Sequence, residues 1–286
     1  MSLLIKSFFE PQSETFSYVV TDTITKVTAI IDAVLEYDQF SGHTKTNYVD
    51  QILSYISEND FHVEWILDTH IHADHITASA YIRSKIGGKV AVGENICQIL
   101  SHWEPIFNFR YPEEIKGAQF DVLLKDGDKI ALGELFFEIY HTPGHTPACC
   151  CFKIEDAVFV GDTIFMPDVG TARTDFPGGD AAAMYESLRK ILSFPDETRL
   201  FMCHDYPPEG RSAECMTTVM AQKKHNVMIR DGISKEAYIA MRHKRDKGKA
   251  VPKMLLPAIQ ANMRAGDFGA KEDNGVQYVK VPVDKL

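Results

Sequence analysis

The stretch "THIHADH", Thr69 to His75, carries three histidines and an aspartate within six positions. Imidazole and carboxylate are the usual ligands of zinc and of non-haem iron, and ligands on one short loop converge on a point at little entropic cost. A single histidine reads as a surface or hydrogen-bonded core residue. Four ligand-type side chains together, His70, His72, Asp74 and His75, read as a metal site.

The surroundings place that loop at a strand end. "EWILDT" (64–69) is an apolar run with strand character, preceded by Val49, Ile52, Leu53 and Ile56 at helical spacing within 46–61. Upstream, "FSYVV" (16–20) and "VTAIID" (27–32) flank a polar turn and predict a hairpin. Downstream, "ITASAYIRSKIGG" predicts a helix closed by glycines, with "KVAV" as the next strand. The middle third predicts strands in "FDVLL", "LFFEIYH", "ACCCFKI" and "AVFVGD". Helices are expected at 181–192, from about 210 to 225, at 235–247, and in "KMLLPAIQANMRAG" with Pro257 in its first turn or at a kink. "VQYVKVPV" is expected as a last strand, and 96–119 as a loop or insertion.

Three later residues extend the ligand pattern. His145 sits in "HTPGHTP", Asp162 ends "AVFVGD", and His204 follows "RLFMC". Each closes or follows an apolar run, so all three are expected on one rim of the sheets.

H-x-H-x-D-H, a Gly-His loop, a Gly-Asp strand end and a final histidine together resemble the metallo-β-lactamase superfamily. That resemblance implies an α/β fold, a four-layer αββα sandwich, with metal held where the sheets meet. It implies one such domain over 1–286, with an inserted loop near 96–119 and a C-terminal extension from about 206. It assigns His70, His72 and His145 to one metal position, and Asp74, His75 and His204 to another, with Asp162 able to bridge them.

"GTARTDFPGGDA" (170–181), "HDYPPEGR" and the closing stretches are similar to the persulfide dioxygenase branch, specifically its bacterial β-lactamase-hydrolase-like members. What the branch implies is one Fe(II) per chain on His70, His145 and Asp162, oxidising glutathione persulfide with O2 to sulfite and glutathione. His72, Asp74, His75 and His204 then orient ligands or relay protons. Arg173, Arg211 and Tyr206 are the expected substrate contacts, because guanidinium binds carboxylates in bidentate fashion. Two alternatives stay open. All seven residues of a two-metal site are present, as in glyoxalase II-like thioester hydrolases, and a non-enzymatic metal-binding module is the third reading. Zinc outcompetes ferrous iron at many N/O sites, so purified protein can carry zinc.

Composition limits partners. A formal charge of −10 argues against nucleic acid, which needs a basic field. No apolar run approaches the roughly 20 residues of a membrane helix, and the first residues lack a secretory apolar stretch, so a cytoplasmic location is expected. The sequence is compatible with a homo-oligomer and does not specify one. Cys149 to Cys151 lie in a strand-like run, where alternation suits buried thiols better than disulfides. "RHKRDKGK" (242–249) carries charge enough to attract an anion, but reads first as the polar end of a helix.

Overall fold

A computed structural model describes residues 2–109 and 116–285. The first half runs β1 (Leu3–Glu10), β2 (Thr15–Asp22), β3 (Val27–Ile31), β4 (Val34–Asp38), β5 (His43–Lys45) and α1 (Asn47–Glu58). There follow β6 (His62–Leu67), β7 (Ile76–Thr77), α2 (Ser79–Ile86), β8 (Lys89–Gly93), α3 (Ile96–Phe107) and β9 (Val122–Leu124). The second half holds β10 (Lys129–Leu132), β11 (Leu135–His141), β12 (Cys150–Ile154), β13 (Ala157–Phe159), α4 (Ala181–Ile191) and β14 (Arg199–Phe201). It ends with β15 (Met216–Thr218), α5 (Val219–His225), α6 (Lys235–Asp246) and α7 (Leu255–Asn262).

Two six-stranded sheets result, in the orders β1-β2-β3-β6-β8-β9 and β10-β11-β12-β13-β14-β15, with a small sheet β5-β4-β7 beside them. Period-two alternation assigns each strand a double role. Ala29, Ile31, Trp65 and Leu67 face the second sheet and meet Phe137, Phe152, Phe159 and Phe201, whereas their neighbours Ile30 and Ile66 face outward. On that outer face they meet Val49, Ile52 and Ile56 of α1, Leu100 and Trp103 of α3, and Ile259 of α7. The second sheet does the same: Cys150 joins the inter-sheet core and Cys151 packs with Met184 and Leu188 of α4. Helices, sheet, sheet, helices is the expected four-layer sandwich. All six cysteines are free.

Strands β3, β6 and β8 are mutually parallel, as are β13 and β14. Their carboxyl ends therefore share one rim. Asp32, Thr69, Asp162 and His204 follow β3, β6, β13 and β14, and the β11–β12 turn delivers His145 to the same place. The expected 16–32 hairpin is present, pairing Tyr18 with Ile31.

Three local expectations are corrected, and one strand went unread. β1 was not legible, because this edge strand is mostly half-buried and shows no clean alternation. Residues 96–107 of the expected 96–119 loop or insertion form α3, because Ile96, Ile99, Leu100, Trp103 and Phe107 supply a buried helical stripe that outweighs the cost of Pro105 inside the helix, while 110–115 lie outside the described residues. Helix is confined to Val219–His225 within the 210–225 span, because Thr218 closes a short strand and caps the helix through its hydroxyl, which accepts from the Ala221 N–H at 3.2 Å. "VQYVKVPV" pairs with no strand; Gln260 holds both the N–H and the carbonyl of Lys280 instead, at 2.9 Å each.

The inter-sheet core is the sandwich's main cohesion. Phe159 stacks on Phe201 at 5.1 Å between ring centroids and meets Tyr18 edge-on at 5.0 Å. Phe159→Ala is expected to cost about 3–5 kcal/mol. Urea unfolding at neutral pH measures this, and a loss under about 1 kcal/mol would contradict a close-packed inter-sheet layer.

Candidate metal centre

His70, His72, His75, His145, Asp162 and His204 are all buried, and Asp74 is partly exposed. Their ligand atoms fall into two groups. Those of His70, His145 and Asp162 lie within 4.8 Å of one another, and so do those of His72, Asp74, His75 and His204. Asp162 stands between the groups. Its Oδ2 is 3.8 Å from the Nε2 of both His70 and His145, while its Oδ1 is 3.6 Å from His204 Nε2.

Each imidazole is anchored on one side and open on the other. His145 Nδ1–H donates to the Arg173 carbonyl at 2.8 Å, and His204 Nδ1–H donates to that of Glu14 at 3.2 Å. His72 Nε2–H donates to Asp32 Oδ1 at 3.1 Å. His70 Nδ1–H donates to the Thr69 hydroxyl at 3.0 Å, which in turn donates to Asp32 Oδ2 at 2.9 Å. The opposite nitrogens, His70 Nε2, His72 Nδ1, His75 Nε2 and His204 Nε2, have no hydrogen-bond partner among the described residues, nor does Asp162 Oδ1. Although His204 Nε2 lies 3.2 Å from Asp74 Oδ2, it is not aligned to donate to it. Unpartnered polar atoms are costly when buried, so this convergence fits a bound cation.

The electrostatics agree. Burial, reinforced by repulsion from His72 and His145, holds His70 well below the ordinary histidine range; burial and the His75 charge do the same to His72. Both are neutral donors at pH 7, as metal ligation requires. Burial also raises Asp162, against the pull of His204 and His145, and opposes charge on His204, where Asp74 and Asp162 prevail and raise it. Asp74 is driven well below the carboxylate range, because His204 and His75 outweigh its desolvation.

Residues outside the motif hold the loop. Asp32 also accepts the Thr69 N–H at 2.8 Å, and Asn262 of α7 donates to the carbonyls of His72 and His75, at 2.8 Å each. Gly161, at φ +51°, lies so close that a Cβ there would stand 2.6 Å from Thr69 Oγ1. Asp68 accepts from Thr77 and Ser79 at 2.8 and 2.9 Å. Sequence reasoning missed Asp32 and Asn262. The available signal was a charge closing an otherwise apolar strand, and an amide within an apolar helix.

A cavity of about 550 Å3 opens onto the centre, bounded by Asp74, His145, Asp162, Phe165, Phe176 and Tyr206. Tyr206 stacks on His204 at 5.6 Å. Arg173 lines the cavity, but its guanidinium is clamped to Asp175 at 2.6 and 2.8 Å and to the Ala250 carbonyl at 2.9 Å. Arg211 does not line it; all of its side-chain hydrogen bonds go to Asp168, Asp205 and the Ser212 carbonyl.

Residues 12–204 match the Metallo-beta-lactamase superfamily. The chain belongs to that superfamily. Among its relatives is the "Glyoxylase B2" of Dictyostelium discoideum, 43% identical over 99% of this chain and 97% of that protein. A "Beta-lactamase hydrolase-like protein" of Xylella fastidiosa is 44% identical over 99% of this chain, which spans 65% of that protein's length. The human "Persulfide dioxygenase ETHE1, mitochondrial" is 30% identical over 92% of this chain and 89% of its own. Among solved structures, ETHE1 from Myxococcus xanthus superposes with a TM-score of 0.73 at 29% identity, covering 92% of this chain and 100% of that one. The persulfide dioxygenases and the β-lactamase-hydrolase-like proteins are thus its neighbours within the superfamily. No described helix is long and apolar enough to cross a membrane.

Two outcomes follow from the supporting residues. Asp32→Ala, which frees both His70 and His72, is expected to weaken metal binding about 10–100-fold in a chelator competition; unchanged affinity would refute the orienting chain. Burial and the Asp32 charge push Asp68 from 3.8 up to about 7. The folded, metal-free protein then keeps a proton that the unfolded chain releases, so the contribution of Asp68 to stability is expected to fall as pH rises from about 4 to about 7, against the rise from carboxylates held below their usual range such as Asp22 and Asp156. Asp68→Asn should flatten that part of the profile, read from urea midpoints across the interval.

Proposed function

We propose that the chain is a sulfur dioxygenase that converts glutathione persulfide, O2 and water to glutathione and sulfite at one ferrous ion held by His70, His145 and Asp162. The observation that carries this reading is the converging group of two imidazoles and one carboxylate beside the cavity. Similarity to the human and Myxococcus proteins supports it. Bound there, iron would supply redox chemistry with O2 and leave coordination positions open for both reactants.

The chain's own part is orientation and exclusion of water. The Arg173 carbonyl, the Thr69 hydroxyl and Asp32 fix the ring tautomers, so that the lone pairs of His145 and His70 face Asp162. Phe165, Phe176 and Tyr206 give the cavity an apolar wall against which a sulfane sulfur packs with little water.

One observation favours a second reading. The unpartnered nitrogens of His72, His75 and His204 form an equally convergent group around Asp74, as a binuclear hydrolase of glyoxalase II type requires. Protein reconstituted anaerobically with iron is expected to take up one O2 per glutathione persulfide and release sulfite, with one metal per chain. His70→Ala, His145→Ala and Asp162→Ala should each lower that rate at least about 100-fold, beyond what a supporting residue costs, while Asp74→Ala retains iron. Two metals per chain, halved by Asp74→Ala, with thioester cleavage and no O2 uptake, would establish the hydrolase instead.

A further inference from the structure

The cavity leading to the metal centre is lined by four cationic side chains that neither metal reading uses as ligands. Arg173 and Arg242 line it but are already paired, Arg173 to Asp175 and Arg242 to Asp246 at 3.0 and 2.6 Å. Asp168, also in the lining, is bound by Arg211. These pairs cancel locally. Two cations remain: Arg245, whose hydrogen bond goes to the Val169 carbonyl at 3.1 Å, and Lys249, whose ammonium has no hydrogen-bond or ion-pair partner among the described residues.

A preference for basic residues near a helix C-terminus accounts for Arg245, in the last turn of α6. It does not account for Lys249, which lies beyond the helix. There Gly248, at φ +79°, turns the chain, and the Lys249 N–H bonds back to the Asp246 carbonyl at 3.0 Å. This turn sets the lysine into the cavity lining. Burial, then the charges of Arg242, Arg173 and Arg245, hold its ammonium below the ordinary lysine range. An anion beside it would relieve that repulsion. The chain as a whole carries a formal charge of −10, so an anionic ligand gains nothing from the overall field and needs such a local one.

We propose that Arg245 and Lys249 form a carboxylate-recognition site in the lining of this cavity, and that it selects among thiol-derived ligands by their terminal acid group. The ligand lies with its sulfur toward Asp162 and a carboxylate between the two cations. A cavity of about 550 Å3 is within the range that accommodates a tripeptide-sized molecule. Only the identity of the sulfur end rests on the persulfide reading. The anion site stands on the unpaired cations.

S-methylglutathione, which cannot be oxidised as a persulfide, and its diethyl ester separate the two ideas when titrated calorimetrically into the metal-loaded full chain. The diacid is expected to bind at least about 10-fold tighter than the ester, the scale of one charge-assisted hydrogen bond. Lys249→Gln and Arg245→Gln should each remove most of that preference while leaving ester binding unchanged, and Lys249→Arg should preserve it. Equal affinity for diacid and ester, no binding of either, or a preference that survives both glutamine variants would overturn the site. If the preference is present but glutathione persulfide elicits no O2 uptake, the anion site is supported and only the dioxygenase reading falls.

Discussion

Burial of ligand atoms without partners is the constraint on which this molecule depends. Four buried imidazole nitrogens and a buried carboxylate oxygen converge and find no donor or acceptor among the described residues. Each such atom costs stability in the metal-free protein, and the surrounding structure has to hold them there against that cost. The sandwich does so by ending four strands on one rim and by locking the loop from outside. Asp32 fixes the ring side, while Asn262 reaches from the last helix to the carbonyls of His72 and His75. The C-terminal helix is therefore part of the metal centre's support, although the ligands themselves end at His204.

Much of this was legible because its physical causes are local. Short apolar runs marked β3, β6 and β12, and the alternation of side chains along a strand explains how adjacent cysteines serve different cores. The ligand pattern was legible because metal chemistry demands residue types that seldom crowd together for any other reason. What escaped depends on tertiary partners. Helix α3 carries a proline and scattered polar residues, and only its buried stripe against the first sheet reveals its face. The C-terminal run looks like a strand, yet one glutamine of α7 takes the backbone groups of Lys280 that a neighbouring strand would otherwise have held.

The substrate side was harder to read for a related reason. An arginine's sequence context does not say whether carboxylates elsewhere in the chain already hold it. Arg211 is 43 residues from Asp168, and the fold brings them within 2.9 Å. Lys249, in a run that read as a solvated helix end, is turned into the cavity by one glycine and left without a partner. The informative quantity for anion binding is thus the unpaired donor, which requires the fold.

Asp162 explains why inventory alone does not separate one metal from two. Its two oxygens face different groups, Oδ2 toward His70 and His145 and Oδ1 toward His204. A cation at either group draws on the same carboxylate, so occupancy of one lowers the charge available to the other, while Asp74 remains as the second group's own acid. The second group therefore holds an ion as tightly as Asp74 allows, and in its absence Asp74 sits close to His75 and His204, at 3.3 and 3.2 Å. The same side chain that would complete a binuclear site compensates the raised charge of His204 when only one ion is bound. A one-ion and a two-ion arrangement thus draw on the same seven residues.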